Sequence, residues 1–155
     1  YKIDLSIVKN VVKSNNQRKI ILTKRIDKIL KNRLKNKNIT FLGVTFKPNT
    51  DDMREASSIP MINYLNKKGS KIRYYDPSGR KKEFDKLKNV KFYSSISSAC
   101  IKSDLIIIHT EWNAFKLLDF KRLVKKKNFK VFDMRNIYSQ DKMRDLKIDY
   151  TSIGR

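Results

Sequence analysis

Cysteine is almost missing from this chain: Cys100 stands alone among 155 residues. One thiol cannot close an internal disulfide or build a multi-cysteine metal site. No metal centre is therefore expected, and the chain suits a reducing, cytoplasmic setting. Glycine is scarce as well. The four glycines fall in neither G-x-G-x-x-G nor G-x-x-x-x-G-K-[ST] spacing, which excludes a dinucleotide fingerprint and a P-loop. No apolar run approaches the length of a membrane span, and no apolar signal segment follows the charged start. The chain begins at Tyr1 rather than Met and reads as a piece of something longer.

Acidic residues are also few, 15 against 37 Lys plus Arg, for a net charge of +22. Clustered cations would indicate a nucleic-acid binder, because phosphate neutralisation needs them. Here the lysines are spread along the whole chain, and Lys, Asn and Ile, all with A/T-rich codons, are abundant together. Codon bias is the reading we carry forward, since net charge speaks to non-specific attraction and not to fold. A hydrophobic content of 39% with eight Phe and seven Tyr argues for a packed core rather than disorder.

Residues 4 to 37 read as one long helix. Leu5, Val8, Val11 and Val12, then Ile20, Ile21, Ile26, Ile29, Leu30 and Leu34, recur at three- and four-residue spacing with no Pro or Gly between them. The polar "KNKN" from Lys35 closes it. Ile39 to Val44 reads as a buried strand. Ser57 or Ser58 can cap a second helix that tolerates Pro60 in its first turn and stops at Gly69. Strands are expected at "SKIRYYDP", "VKFYS", "DLIIIHT", "KVFDMR" and "IDYTSIG". Helical pieces are expected at Ser95 to Lys102, Phe115 to Lys127 and Lys142 to Leu146, with a short helix or loop between Arg80 and Lys88. Alternation at this spacing predicts a Rossmann-like, doubly wound, mainly parallel α/β sheet preceded by one long helix.

In such sheets a ligand sits beyond the carboxyl ends of the strands. Those ends here are "FKPNTDDMR", "YDP", "TEW" and "DMRN". Without a glycine-rich turn, a phosphate must be met by side chains, and Lys47 and Arg54 are the cations on the first crossing. Asp51, Asp52 and Glu55 either complement a helix dipole or belong to a site. Trp112 and Phe115 read more readily as sheet cover than as a base-stacking platform. Glu111 is a weak acid–base candidate. His109, the one histidine, lies in an apolar strand and reads as structural. Cys100 reads as buried and inert. Arg135, after the apolar strand and near Asp133, suits an anionic ligand or a surface ion pair.

The stretch "GVTFKPNTDDMREASS", with "YDP", "TEWNAF", "DMRN" and "YTSIGR", resembles the signature of the UDP-glucose/GDP-mannose dehydrogenase family, on its UDP-glucose branch. The resemblance runs over about residues 5 to 155. It implies the end of a central helix over 1–37, including "NNQRK" from Asn15 on the dimer-forming helix, followed by a UDP-binding domain over 38–155. It implies that Phe46 and Lys47 contact the UDP-sugar, that Arg135 contacts the substrate, and that Arg54 reaches NAD. It further implies UDP-glucose as ligand, a homodimer, and an NAD-dependent oxidation of the sugar C6 alcohol to a carboxylate through a cysteine thiohemiacetal. A related nucleotide sugar, such as an N-acetylated hexosamine, remains an alternative. The family's cysteine segment and NAD fingerprint have no counterpart here, so NAD would be bound mostly elsewhere and this chain by itself is expected to be inactive. Ser57 stands where many members have proline, a departure expected to change loop stiffness more than chemistry.

Overall fold

The computed structural model describes residues 6–154. Leu5 of the apolar stripe and Arg155 of the terminal motif lie outside them. Helix α1 spans Ser6–Ile29. Its stripe splits in two. Ile7, Val8, Val11, Val12, Ile20 and Ile21 are exposed, whereas Ile26 is buried and Leu22 and Ile29 pack on the core.

The helix ends at Ile29 and not near residue 37. Lys31 and Asn32 adopt positive φ, and the Asn32 N–H bonds back to the Asp27 carbonyl at 2.8 Å, an αL stop of the kind asparagine tolerates. Leu30 and Leu34 still reach the core, from the turn that follows. Their spacing imitates a helix that is no longer there.

Six strands follow: β1 Asn38–Leu42, β2 Lys71–Tyr75, β3 Val90–Phe92, β4 Leu105–Ile108, β5 Lys130–Asp133 and β6 Asp149–Ser152. They form one sheet in the order β3-β2-β1-β4-β5-β6, and every pairing is parallel. This is the doubly wound order whose reversal falls between β1 and β4. Side chains alternate across the sheet as the two-residue period requires. Ile39, Phe41, Leu105, Ile107 and Phe132 enter one core with Ile26, Met61, Ile62 and Leu65. Leu42, Ile106, Ile108 and Val131 enter the other, with Cys100, Phe115, Phe120 and Met143. Burial on both faces explains the unbroken apolar run of β4.

Helix α2 (Ser58–Lys67) covers the first face, and α3 (Ile96–Cys100), α4 (Phe120–Val124) and α5 (Gln140–Asp145) contribute to the second. Gly69, at φ +79°, ends α2, with the Ser70 N–H reaching back to the Leu65 carbonyl. The helix expected from Phe115 to Lys127 is broken into a 3-10 turn at Asn113–Phe115 and the short α4. The Asp119 carboxylate caps α4 by accepting from the Arg122 N–H, and Lys125 at φ 49° ends it. Cys100 is fully buried, and burial pushes its thiol up to about 12, which makes it the inert packing residue expected. Among the described residues no helix is long and apolar enough to cross a membrane.

The reversal point is tight. Gly43 follows β1 at φ +76°, and a Cβ there would stand 2.6 Å from Thr110 Cβ at the end of β4. Gly43→Ala is expected to cost at least about 2 kcal/mol, through left-handed strain plus the clash. Chemical denaturation of both proteins checks this, and a loss below about 0.5 kcal/mol would show that the two strand ends can part freely.

Candidate functional site

The crossing from β1 to α2 is anchored by one carboxylate. Asp76, 1% exposed just beyond β2, accepts from the Val44 N–H at 2.8 Å and the Thr45 N–H at 3.3 Å through Oδ2. Its Oδ1 accepts from the Ser78 N–H and hydroxyl. In a dinucleotide-binding turn such backbone N–H groups face a pyrophosphate. Here the protein's own anion takes them, so the first turn does not fit a dinucleotide, in keeping with the missing glycines.

Asp133 does a similar task at the end of β5. Its Oδ1 accepts from the Arg135 N–H at 2.9 Å, and its Oδ2 accepts from the Tyr138 N–H and the Tyr150 hydroxyl. Asn136, at φ 55°, exchanges two hydrogen bonds with the backbone of Ile153 beyond β6. The "DMRN" turn is thus fixed at both ends, and the Arg135 side chain is left for other work.

The Arg135 guanidinium lies across three strand ends. Nε donates to the His109 carbonyl at 2.7 Å, and Nη2 lies 3.5 Å from the Phe46 carbonyl. Glu111 Oε2 is 2.9 Å from Nε. That carboxylate oxygen accepts no aligned hydrogen bond. The one Nε proton goes to the carbonyl, so Glu111 and Arg135 are bound by charge alone. Glu111, weighed above as an acid–base candidate, is the counter-ion of Arg135.

A groove of about 490 Å³ opens here, lined by Asn15, Arg18, Lys19, Phe46, Ser57 and Arg135 among others. It lies between α1 and the carboxyl ends of β1, β5 and β6. Phe46, 50% exposed, and Arg135 are brought together in it. Lys47 is exposed on the adjoining loop and does not line the groove. Arg54 also lies apart, with its side chain 90% exposed and chelated by Asp52 through Nε and Nη2. The hydrogen bonds from Arg54 hold the Asp52 carboxyl down to about 2. The acids of this loop do not serve a helix dipole, because α2 has no acid in its first turn. Asp52 holds Arg54, and Glu55 binds Lys19 of α1 at 2.6 Å.

Phe115 is buried in the second core and Trp112 packs against it, which settles both as sheet cover. His109 is buried, as its place in an apolar strand implies. Its Nε2 lies 2.8 Å from Ser57 Oγ and its Nδ1 lies 3.0 Å from Thr110 Oγ1. Ser57 thereby ties the loop before α2 to the end of β4. No local signal announces a pair separated by fifty-two positions. Burial first, and the nearby Arg135 cation second, push His109 down to about 3.

The fold and this rim define a nucleotide-type α/β domain whose ligand would be met by side chains. The UDP binding domain of the UDP-glucose/GDP-mannose dehydrogenase family matches residues 40–140. The chain belongs to that family. It is 35% identical over 157 residues to a UDP-glucose 6-dehydrogenase of Rickettsia typhi, covering 99% of this chain and 36% of that one. It is 36% identical over 159 residues to a Bacillus subtilis UDP-glucose 6-dehydrogenase, covering 98% and 35%. The chain thus spans little more than a third of the length of the curated relatives it matches. The structure of a UDP-D-ManNAc dehydrogenase from Pyrococcus horikoshii superposes at a TM-score of 0.78 with 21% identity, over 99% of this chain and 35% of that one. A UDP-glucose dehydrogenase from Pyrobaculum islandicum gives 0.72 with 22% identity, over 97% and 32%. At such identities the likeness is one of fold.

Because the native ring stays neutral to about pH 3 while a histidine in the unfolded chain binds a proton near pH 6.5, the unfolded state takes up the extra proton between those values. Stability is expected to fall as pH drops from about 6.5 towards 3, by up to about 1.4 kcal/mol per unit from this group. Denaturation of the unmodified chain and His109→Gln across that range isolates the term. Parallel curves for the two proteins would mean that His109 titrates alike when folded and unfolded.

Proposed function

We propose that this chain is the UDP-sugar-binding part of an NAD-dependent UDP-glucose 6-dehydrogenase, an enzyme that oxidises UDP-glucose to UDP-glucuronate. The observation that carries the reading is the groove at the strand ends, with Arg135 held across it beside Phe46, in a chain of this family. Anionic oxygens of the ligand meet Arg135 in the groove, Lys47 reaches them from the exposed loop beside it, and Phe46 covers an apolar face of the ligand. Arg54 is free of the groove and exposed, which suits contact with NAD held by another part of the full-length protein. The sugar itself could be another hexose, as the range of nucleotide sugars named for the structural neighbours indicates.

The segment 1–37, of which α1 occupies Ser6–Ile29, belongs to the central-helix part of the full-length protein, and 38–155 is the UDP-binding unit. The exposed stripe Ile7, Val8, Val11 and Val12 supports pairing of two chains through α1. A cytoplasmic location follows from the same assignment. Val8→Glu with Val12→Glu is expected to shift the sedimentation-equilibrium mass from dimer to monomer. A monomeric unmodified chain would remove the helix-pairing proposal.

Calorimetric titration at moderate salt is expected to show UDP binding more tightly than GDP. Arg135→Ala should weaken UDP by about 1–3 kcal/mol and Lys47→Ala by about 1 kcal/mol, as charge-assisted hydrogen bonds are lost. Equal, strongly salt-dependent heats for both nucleotides would instead assign the binding to the +22 charge, as a basic nucleic-acid-binding module requires.

A further inference from the structure

Ser57, His109, Thr110 and Thr45 form one hydrogen-bonded chain, and its polarity can be read from the far end. The Thr45 carbonyl can only accept, so the single Thr110 hydroxyl proton is donated to it at 2.8 Å. Thr110 Oγ1 must then accept from His109 Nδ1, 3.0 Å away, which makes Nδ1 the protonated nitrogen. The ring is 1% exposed and packed near a guanidinium, so it carries no second proton. Its Nε2 presents a bare lone pair, and the Ser57 hydroxyl proton is committed to it at 2.8 Å.

Ser57 also lines the groove with Phe46 and Arg135. Its oxygen has spent its proton inward and turns only lone pairs towards a ligand. Arg18, Lys19 and Arg135 on the same groove are donors. Glu55, its one carboxylate, is ion-paired to Lys19 through Oε2. Besides the Asn15 amide and Glu55, the groove thus offers cations for anionic oxygens and, at Ser57, a hydroxyl oxygen whose orientation is fixed from behind.

We propose that Ser57 is a specificity-determining residue of this groove, an acceptor-only oxygen that takes a hydrogen bond from a ring N–H or a sugar hydroxyl of the bound nucleotide sugar. The proposal rests on the nucleotide-sugar reading above and goes beyond it in assigning Ser57 and the donor it selects. A ligand with phosphates but no donor at this point leaves the serine oxygen unpaired, and the groove disfavours it.

The chain holds a single histidine, so its ring nitrogens can be observed without ambiguity. Nitrogen-15 NMR of the unmodified chain at neutral pH is expected to show a neutral ring protonated on Nδ1. Protonation on Nε2 would leave the Ser57 proton free to face the groove and would overturn the proposal. UDP and UDP-glucose are then titrated into the unmodified chain, Ser57→Ala and Ser57→Thr, with melting curves confirming that each is folded.

Ser57→Ala is expected to lose about three- to tenfold in affinity, and Ser57→Thr, which keeps the oxygen, to retain it. Loss for both ligands places the donor on the nucleoside; loss for UDP-glucose alone places it on the hexose. Unchanged affinity of Ser57→Ala for both ligands overturns the role of Ser57 while leaving the nucleotide-sugar reading intact. Failure of the unmodified chain to bind either ligand removes both.

Discussion

The Asp76 carboxylate decides what kind of site this fold can carry. A buried carboxylate is costly unless hydrogen bonds replace its water. Asp76 obtains them from the Val44 and Thr45 backbone and from Ser78, whose hydroxyl in turn accepts from the Lys81 ammonium at 2.7 Å. The donors it uses are those that a dinucleotide turn keeps for phosphate. Once they are spent, the loop from Thr45 to Ser57 is fixed at its root, and recognition passes to side chains further along the rim.

Arg135 shows how that rim is prepared. Its backbone is fixed by Asp133, and its guanidinium rests on the His109 and Phe46 carbonyls. Those are neutral acceptors, so they orient the cation without cancelling it. Glu111 does oppose the charge, but both side chains are more than a third exposed or close to it, at 34% and 39%. The contacting Glu111 oxygen is itself buried and accepts no aligned hydrogen bond, so the two groups are held by charge without the geometry of a strong pair. A diphosphate able to form aligned, charge-assisted hydrogen bonds would compete with it on the proposed reading. The free chain therefore keeps Arg135 oriented and partly neutralised without locking it away from a ligand.

The residues themselves reveal the layers of this protein more readily than its contacts. β4 is legible because "LIII" must be buried on both faces, and the end of α2 because Gly69 stops it, whereas the expected serine cap is missing: Ser57 bonds His109 and Ser58 donates to the Val44 carbonyl. The strand ends stand out because the doubly wound pattern says where to look. The end of α1 is not legible, because Leu30 and Leu34 keep helical spacing while Asn32 turns the chain left-handed. The length of α4 is lost for the same kind of reason, with Lys125 in the αL region where its sequence offers no glycine. The pairs Ser57–His109, Lys19–Glu55 and Arg135–Glu111 join elements that only the folded sheet brings together. Local periodicity carries no record of them, so the acids of the first crossing could not be assigned their partners beforehand.

A charge of +22 attracts any anion, yet range separates the contributions. Exposed lysines act over about a Debye length, roughly 8 Å at physiological salt, and ions screen them beyond it. Such a field raises the local concentration of every phosphate compound alike and cannot rank one nucleotide above another. Ranking requires groups whose geometry is fixed and whose partners are already decided. Arg135 is seated on two carbonyls, and His109 has only one proton arrangement open to it. On the proposed reading, discrimination rests on the few hydrogen bonds fixed behind the groove and not on the +22 charge, which attracts every anion alike.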